Sequence, residues 1–114
     1  MESLDLINEI GRMSKNLSSA VKALQKAGVN KATAENKYRI ELSKQILIQR
    51  DKGMPVTIIS DVVRGLHDIA MLRLERDIAD INYQVALEFI NSTKLQLRLL
   101  ENQTAREWGQ AKRE

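Results

Sequence analysis

Two short motifs in the chain contain residue types that hydrolytic enzymes use. His67, the only histidine, is followed by Asp68, and such a pair could form the orienting half of a catalytic triad. Neighbouring residues of a helix point about 100° apart, and the sequence specifies no nucleophile for this pair. Ser19 and Lys22 match the Ser-x-x-Lys pattern of serine acylating enzymes, but the companion motifs of those enzymes are absent. We therefore interpret His67 as a solvated side chain and predict no catalytic residue and no enzymatic activity.

Three acidic residues lie close together in the second half of the chain. Glu75, Asp77 and Asp80 are carboxylates of the kind that bind hard cations. A di-metal helical bundle, however, uses Glu-x-x-His pairs, and none occurs in the sequence. We interpret Arg73, Glu75, Arg76 and Asp80 as a charged helix face in which near neighbours form ion pairs. The sequence therefore predicts no metal and no cofactor.

The positive charge of the chain is concentrated in its first half. Residues 12–52 contain ten bases and three acids, whereas the whole chain has a net charge of only +3. Lys37, Lys44 and Lys52 are seven and eight residues apart, which places them on one face of a helix where phosphates could bind. Tyr38 is the only aromatic residue of that segment that could stack on a base. Nucleic-acid contact through these lysines is therefore an alternative to protein binding.

The composition is that of an aliphatic helical protein. Hydrophobic residues make up 43% of the 114 residues and aromatic residues only 4%. Because the chain has no cysteine, it has no disulfides or thiolate metal sites. The first residues lack the basic and apolar regions of a signal peptide, and no apolar run approaches the ~20 residues of a membrane span. We expect a single cytoplasmic domain that does not interact with membranes.

Glycine and proline divide the chain into four predicted helices, at 4–27, 31–52, 58–64 and 66–112. In the first helix, apolar residues recur from Leu6 to Ala27 at alternating spacings of four and three, which forms one narrow stripe. Gly28 is expected to end this helix and Asn30 to cap the next one. Two helices joined by so short a connection should fold back as a helical hairpin or turn sharply.

The second predicted helix leads into a short apolar one. Its expected buried face contains Tyr38, Leu42, Ile46 and Gln49, widened by Ile40, Leu47 and Ile48. Gly53 ends it, and Pro55 prevents its continuation.

Thr57 is expected to cap the short helix, which Gly65 closes. The short helix contains Ile58, Ile59, Val62 and Val63. Four such residues are too apolar to be solvated together, so we expect the short helix to cover the end of a bundle.

The last predicted helix is too long to be covered by the rest of the chain. It contains no proline, and its only glycine is Gly109, near its end. At 1.5 Å per residue it would be roughly 70 Å long, whereas a compact domain of this size has a radius of gyration of about 13 Å. The helix should therefore pack against a partner.

Two apolar stripes run along this last helix. The first has heptad spacing, is interrupted at Glu88 and Ser92, and consists of Met71, Leu74, Ile78, Ile81, Val85, Leu95 and Leu99, with Phe89 beside it. The second consists of Leu72, Ala79, Ala86, Ile90 and Leu97. Two stripes require two partners, which favours an all-α, bundle-like or coiled-coil-like homo-oligomer, most simply a C2 dimer. We predict the first stripe and Phe89 as the oligomer interface.

Part of the chain resembles a small all-helical family of phages and prophages of Gram-positive bacteria. The shared pattern is a helix ending in Gly53-x-Pro55, a short apolar helix ending in Gly65, and then Arg76-Asp77-x-Ala79 and Tyr83 on the long helix. The resemblance covers roughly residues 38–108. It implies an accessory protein of a phage, acting in the host cytoplasm near recombination or replication or against host defence.

The sequence therefore predicts a non-catalytic protein that binds other proteins through helical surfaces. Its expected partners are a second copy of itself and an unidentified host or phage protein. The alternative is a nucleic-acid-binding accessory factor of phage recombination or replication, in which Lys37, Lys44 and Lys52 contact phosphates.

Overall fold

The protein is all-α and consists of three helices. The computed structural model describes residues 3–113, and it describes the side chains of residues 4–110. Helix α1 is Ser3–Asp51, α2 is Val56–Arg64 and α3 is His67–Arg113. No strand occurs between residues 3 and 113. The short middle helix and the long last helix confirm the predicted elements, whereas the first two predicted helices are one.

Helix α1 passes through Gly28 without a break, so the predicted helical hairpin at this position is wrong. Gly53 is the only described residue with a positive φ angle, which means that Gly28 has the ordinary helical conformation. A glycine inside a helix costs only about 1 kcal/mol relative to alanine. Packing against another helix exceeds this cost easily, and the ring of Tyr83 from α3 lies beside Gly28.

Replacing Gly28 with alanine is expected to stabilise the protein by about 0.5–1 kcal/mol, because alanine favours the helix. The added Cβ would lie 3.5 Å from Cε2 of Tyr83, an ordinary van der Waals contact. Gly11→Ala, where no atom lies within 4 Å, should stabilise by a similar amount. Gly53→Ala should destabilise, because its φ of +88° is strained for a residue with a Cβ. Chemical denaturation measures all three, and destabilisation by Gly28→Ala alone would contradict the continuous helix.

The end of α1 at Gly53 confirms the prediction. The N–H of Gly53 donates to the carbonyl of Arg50 at 3.0 Å, and the N–H of Met54 donates to the carbonyl of Gln49 at 3.1 Å. These two bonds and the positive φ of Gly53 are the Schellman motif, which satisfies the last carbonyls of a helix. Met54 is the apolar residue that follows the motif, and it packs against the hydrophobic core.

Helix α2 begins earlier than predicted, because Pro55 and not Thr57 precedes its first turn. The carbonyl of Pro55 accepts bonds from the N–H groups of Ile58 and Ile59, both at 3.2 Å. No side chain caps this end of α2. Gly65 ends α2 as predicted, and its N–H donates to the carbonyl of Val62.

The contacts divide the chain into two compact units. The central unit is Lys26–Tyr83, and the terminal unit contains the described residues up to Gln25 and those from Gln84 onward. The core of the central unit consists of buried Tyr38, Ile59, Val63 and Ile69, surrounded by Leu42, Ile46, Met54, Leu66 and Leu72. All three helices contribute to this core.

Helix α2 buries only one of its faces. Ile59 and Val63 are buried in the core of the central unit, as predicted, whereas Ile58 and Val62 are exposed. Residues four apart share a face of a helix, so Ile58 and Val62 lie together on the outer side. Ile40, Leu47 and Ile48 of α1 are exposed as well, so the predicted widening of its buried face is wrong.

The terminal unit has an aliphatic core of small extent. Leu6, Met13 and Ala20 of α1 are buried there, and so are Ile90 and Thr93 of α3. The hydroxyl of Thr93 donates to the carbonyl of Phe89 at 2.8 Å, which satisfies this polar side chain. Leu6, Met13 and Ala20 belong to the predicted narrow stripe, and the stripe residues between them, Ile10 and Leu17, are half-buried. The stripe is therefore confirmed.

Candidate interaction surface

The predicted oligomer interface of α3 is exposed along its whole length. Each of its eight side chains retains between 45% and 62% of its full exposure: Met71, Leu74, Ile78, Ile81, Val85, Phe89, Leu95 and Leu99. The first four belong to the central unit and the other four to the terminal unit. We call this set the α3 stripe. No described part of the chain covers it.

The second predicted stripe of α3 faces the core of each unit. Ile90 is buried, and Leu72, Ala79, Ala86 and Leu97 are partly buried. At about 100° per residue, these positions lie roughly opposite the α3 stripe. The chain therefore uses one of the two stripes for its own packing and leaves the other without a partner.

The spacing of the α3 stripe is that of a coiled-coil seam. Steps of three and four residues lead from Met71 to Val85 without an interruption, and Leu95 and Leu99 continue the same heptad pattern. Glu88 and Ser92 take two of the seam positions between them. The exposed side chains are thus arranged for contact with another helix of the same period.

Charged pairs join α3 to α1 in the central unit. Lys31 Nζ lies 3.1 Å from Asp80 Oδ1, and Lys37 Nζ lies 3.9 Å from Glu75 Oε2. In two antiparallel helices the residue numbers of facing positions have a nearly constant sum, and these two pairs sum to 111 and 112. Lys31 also lies 4.7 Å from the centre of the Tyr83 ring. The predicted pairing of Glu75 and Asp80 with arginines of their own helix is therefore wrong.

Two arginines of the central unit share the carboxylate of Glu35. Arg39 Nε donates to Glu35 Oε1 at 2.6 Å, and Arg76 Nε lies 3.5 Å from Glu35 Oε2. The guanidinium of Arg76 also lies 4.6 Å from the ring centre of buried Tyr38. Partial burial lowers the pKa of Arg76, but its hydrogen bond to Asp77 and the nearby carboxylates raise it by more. Arg76 therefore stays fully charged.

The three lysines predicted to contact nucleic acid do not form an unpaired positive stripe. Lys37 pairs with Glu75, and Lys44 pairs with Glu41 at 3.3 Å. Lys52 is exposed and has no ion pair among the described residues. Exposed pairs of this kind contribute little stability, but they reduce the positive potential that would attract phosphates.

The residues of the two catalytic motifs are solvated. His67 and Asp68 are exposed at the start of α3, and Ser19 and Lys22 are exposed on α1. No hydrogen bond joins the two members of either motif in the part of the chain that the structure describes. Between residues 3 and 113, no three histidine or acidic side chains are grouped as metal ligands would be.

Comparison of the chain with models of known protein families, with characterised proteins and with solved structures finds no significant match. The resemblance to a phage family stays a prediction. None of the described helices is both long enough and apolar enough to span a membrane.

Proposed function

We propose that this protein is a non-catalytic helical protein that associates with a second copy of itself through the α3 stripe. The observation that supports the proposal is the exposure of seven large apolar side chains at coiled-coil positions of one helix, with exposed Phe89 beside them. Soluble monomers rarely leave so many large apolar side chains exposed on one side of a helix unless these side chains bind something.

The α3 stripe has the spacing of a coiled-coil contact, in two parts. Its seam is apolar over two heptads from Met71 to Val85, and Leu95 and Leu99 resume the same heptad pattern in the terminal unit. The interruption at Glu88 and Ser92 lies inside the stripe and is compensated in part by Phe89, which is also exposed.

A second copy of the chain is the partner that fits this surface best. The side chains of a coiled coil insert into holes formed by a helix with the same period. The α3 of a second copy has the same period at the same positions. In a two-fold symmetric dimer each copy contributes the same surface, so one stripe is enough to form the interface.

Binding of a host or phage protein would extend this function. Ile58 and Val62 on the outer side of α2 form a smaller apolar surface that the α3 stripe does not include. The proposal that the protein is a phage accessory factor is supported by the pattern around Gly53, Gly65 and Arg76 alone. A pull-down from a Gram-positive host tests this extension separately from self-association.

The test of self-association is a measurement of mass in solution. Sedimentation equilibrium at micromolar concentrations should give twice the chain mass of 13.0 kDa, with dissociation on dilution. A mass of 13.0 kDa at every concentration, from a protein that is highly helical by circular dichroism, would rule out the proposed dimer.

A further inference from the structure

A groove on the central unit is lined by four arginines from all three helices. Arg39 belongs to α1, Arg64 to the last turn of α2, and Arg73 and Arg76 to α3. The groove has a volume of about 590 Å³, and Glu35 is the only acidic residue in its lining. The lining therefore has three positive charges in excess. None of these residues belongs to the α3 stripe.

Two of the four arginines are held in place. Glu35 accepts the Nε–H of Arg39, and its other carboxylate oxygen lies 3.5 Å from Nε of Arg76, so one carboxylate orients both guanidinium groups. Arg76 is fixed further by Asp77 and by the ring of Tyr38. Arginines that are already ordered lose less entropy when they bind a ligand.

The other two arginines have no acidic partner. Arg64 and Arg73 are exposed, and neither forms an ion pair with any residue that the structure describes. Lys31, Lys37 and Lys44 of the same unit are paired, whereas Lys26, Arg50 and Lys52 have no ion pair among the described residues. Of the cations without an ion pair in this unit, Arg64 and Arg73 are the two that line the groove.

The chemistry of the groove favours a phosphate group. Guanidinium groups donate two parallel hydrogen bonds to phosphate oxygens, and several of them together can neutralise more than one negative charge. The only aromatic side chain of the lining, Tyr38, is 4% exposed and lies under Arg76, so it offers no surface for stacking on a base. A strand of nucleic acid would instead require a basic surface extending beyond the groove, with exposed aromatic side chains.

We propose that this groove binds a compact phosphate-bearing small molecule, of the phosphate monoester or diphosphate class. The ligand would contact arginines from α1, α2 and α3 together. Because it would bind the folded central unit and not the unfolded chain, it would also raise the melting temperature of the protein. The site is independent of self-association, since it uses none of the side chains of the α3 stripe.

The test uses inorganic pyrophosphate as the probe, in calorimetric titrations at low salt. The parent should bind it saturably, and the double variant Arg64→Gln, Arg73→Gln should bind it at least about tenfold more weakly, because two charge-assisted hydrogen bonds are lost. Both arginines are exposed and unpaired, so the variant should melt at the same temperature as the parent without ligand.

The matched control is Arg50→Gln, Lys52→Gln, which removes two exposed charges from the same unit outside the groove. This control should bind pyrophosphate as the parent does. Equal loss of affinity in the two double variants would show general electrostatic attraction and overturn the proposal, as would the absence of saturable binding. A short single-stranded oligonucleotide that binds more tightly than pyrophosphate, and equally to both variants, would also overturn it.

Discussion

Replacing Ile81 with glutamate is expected to convert the dimer into a folded monomer. Ile81 is 60% exposed in the single chain, so a charged side chain at this position remains solvated there. In the dimer the same side chain would be buried at the seam, and an uncompensated buried charge costs several kcal/mol, on the order of 3–5. Two-fold symmetry places a glutamate on each copy, which adds to the penalty.

Sedimentation equilibrium combined with circular dichroism separates the loss of association from a loss of folding. The variant should have the mass of one chain and keep the helicity of the parent. The sequence alone predicts that a charge at position 81 also destabilises the fold. Because the Ile81 side chain is exposed in the single chain, we now expect only the loss of association. The matched control is Gln84→Glu, an exposed position beside the seam with the same charge change, and it should stay dimeric. A dimeric Ile81→Glu variant would exclude the α3 stripe as the interface.

Replacing Ile59 with alanine is expected to lower the free energy of unfolding by about 2–5 kcal/mol. Ile59 is 6% exposed and packs with Tyr38, Val63 and Ile69, so its truncation leaves a cavity between the three helices. Such a loss is a large part of the stability of a small domain, which is about 5–15 kcal/mol. Chemical denaturation followed by circular dichroism measures it.

Ile58→Ala is the matched control, because it removes the same atoms from the next residue of α2. Ile58 is 47% exposed, so this change should alter the free energy of unfolding by no more than about 0.5 kcal/mol. Equal effects of the two substitutions would show that α2 does not pack against the core through the face that contains Ile59 and Val63. A strong effect of Ile58→Ala alone would mean that α2 is rotated.

The ends of α2 and the last turn of α1 could be predicted because their chemistry is local. Gly53 provides the positive φ of the turn, Pro55 cannot extend α1, and Gly65 ends α2. Whether the helix ends or continues at Gly28 depends on residues far away in the sequence. The cost of about 1 kcal/mol for a glycine inside a helix competes there with the packing of α3. The sequence does contain evidence for a continuous helix, since the spacing of the apolar residues from Leu6 to Ala27 continues in phase to Tyr38. Polar residues on the same face, such as half-buried Lys31, make this continuation hard to recognise.

The two stripes of α3 were predictable from periodicity, but their roles were not. Both are apolar, and only contacts between residues far apart in sequence decide that Leu72 and Ile90 face the cores while Ile81 does not. The arginine groove could not be predicted either. Arg39, Arg64 and Arg73 come from three different helices, and no spacing in the sequence relates them.

The pairing of α1 with α3 in the central unit is not determined by charge alone. If α3 slid by three residues along α1, Lys31 would come opposite Asp77, and Glu35 would come opposite Arg73, so attractive pairs would form again. The Tyr83 ring, however, would lose its place beside Gly28 and its contact with Lys31. The packing of this ring, together with the short connection through α2, therefore sets the alignment that the charges would leave ambiguous.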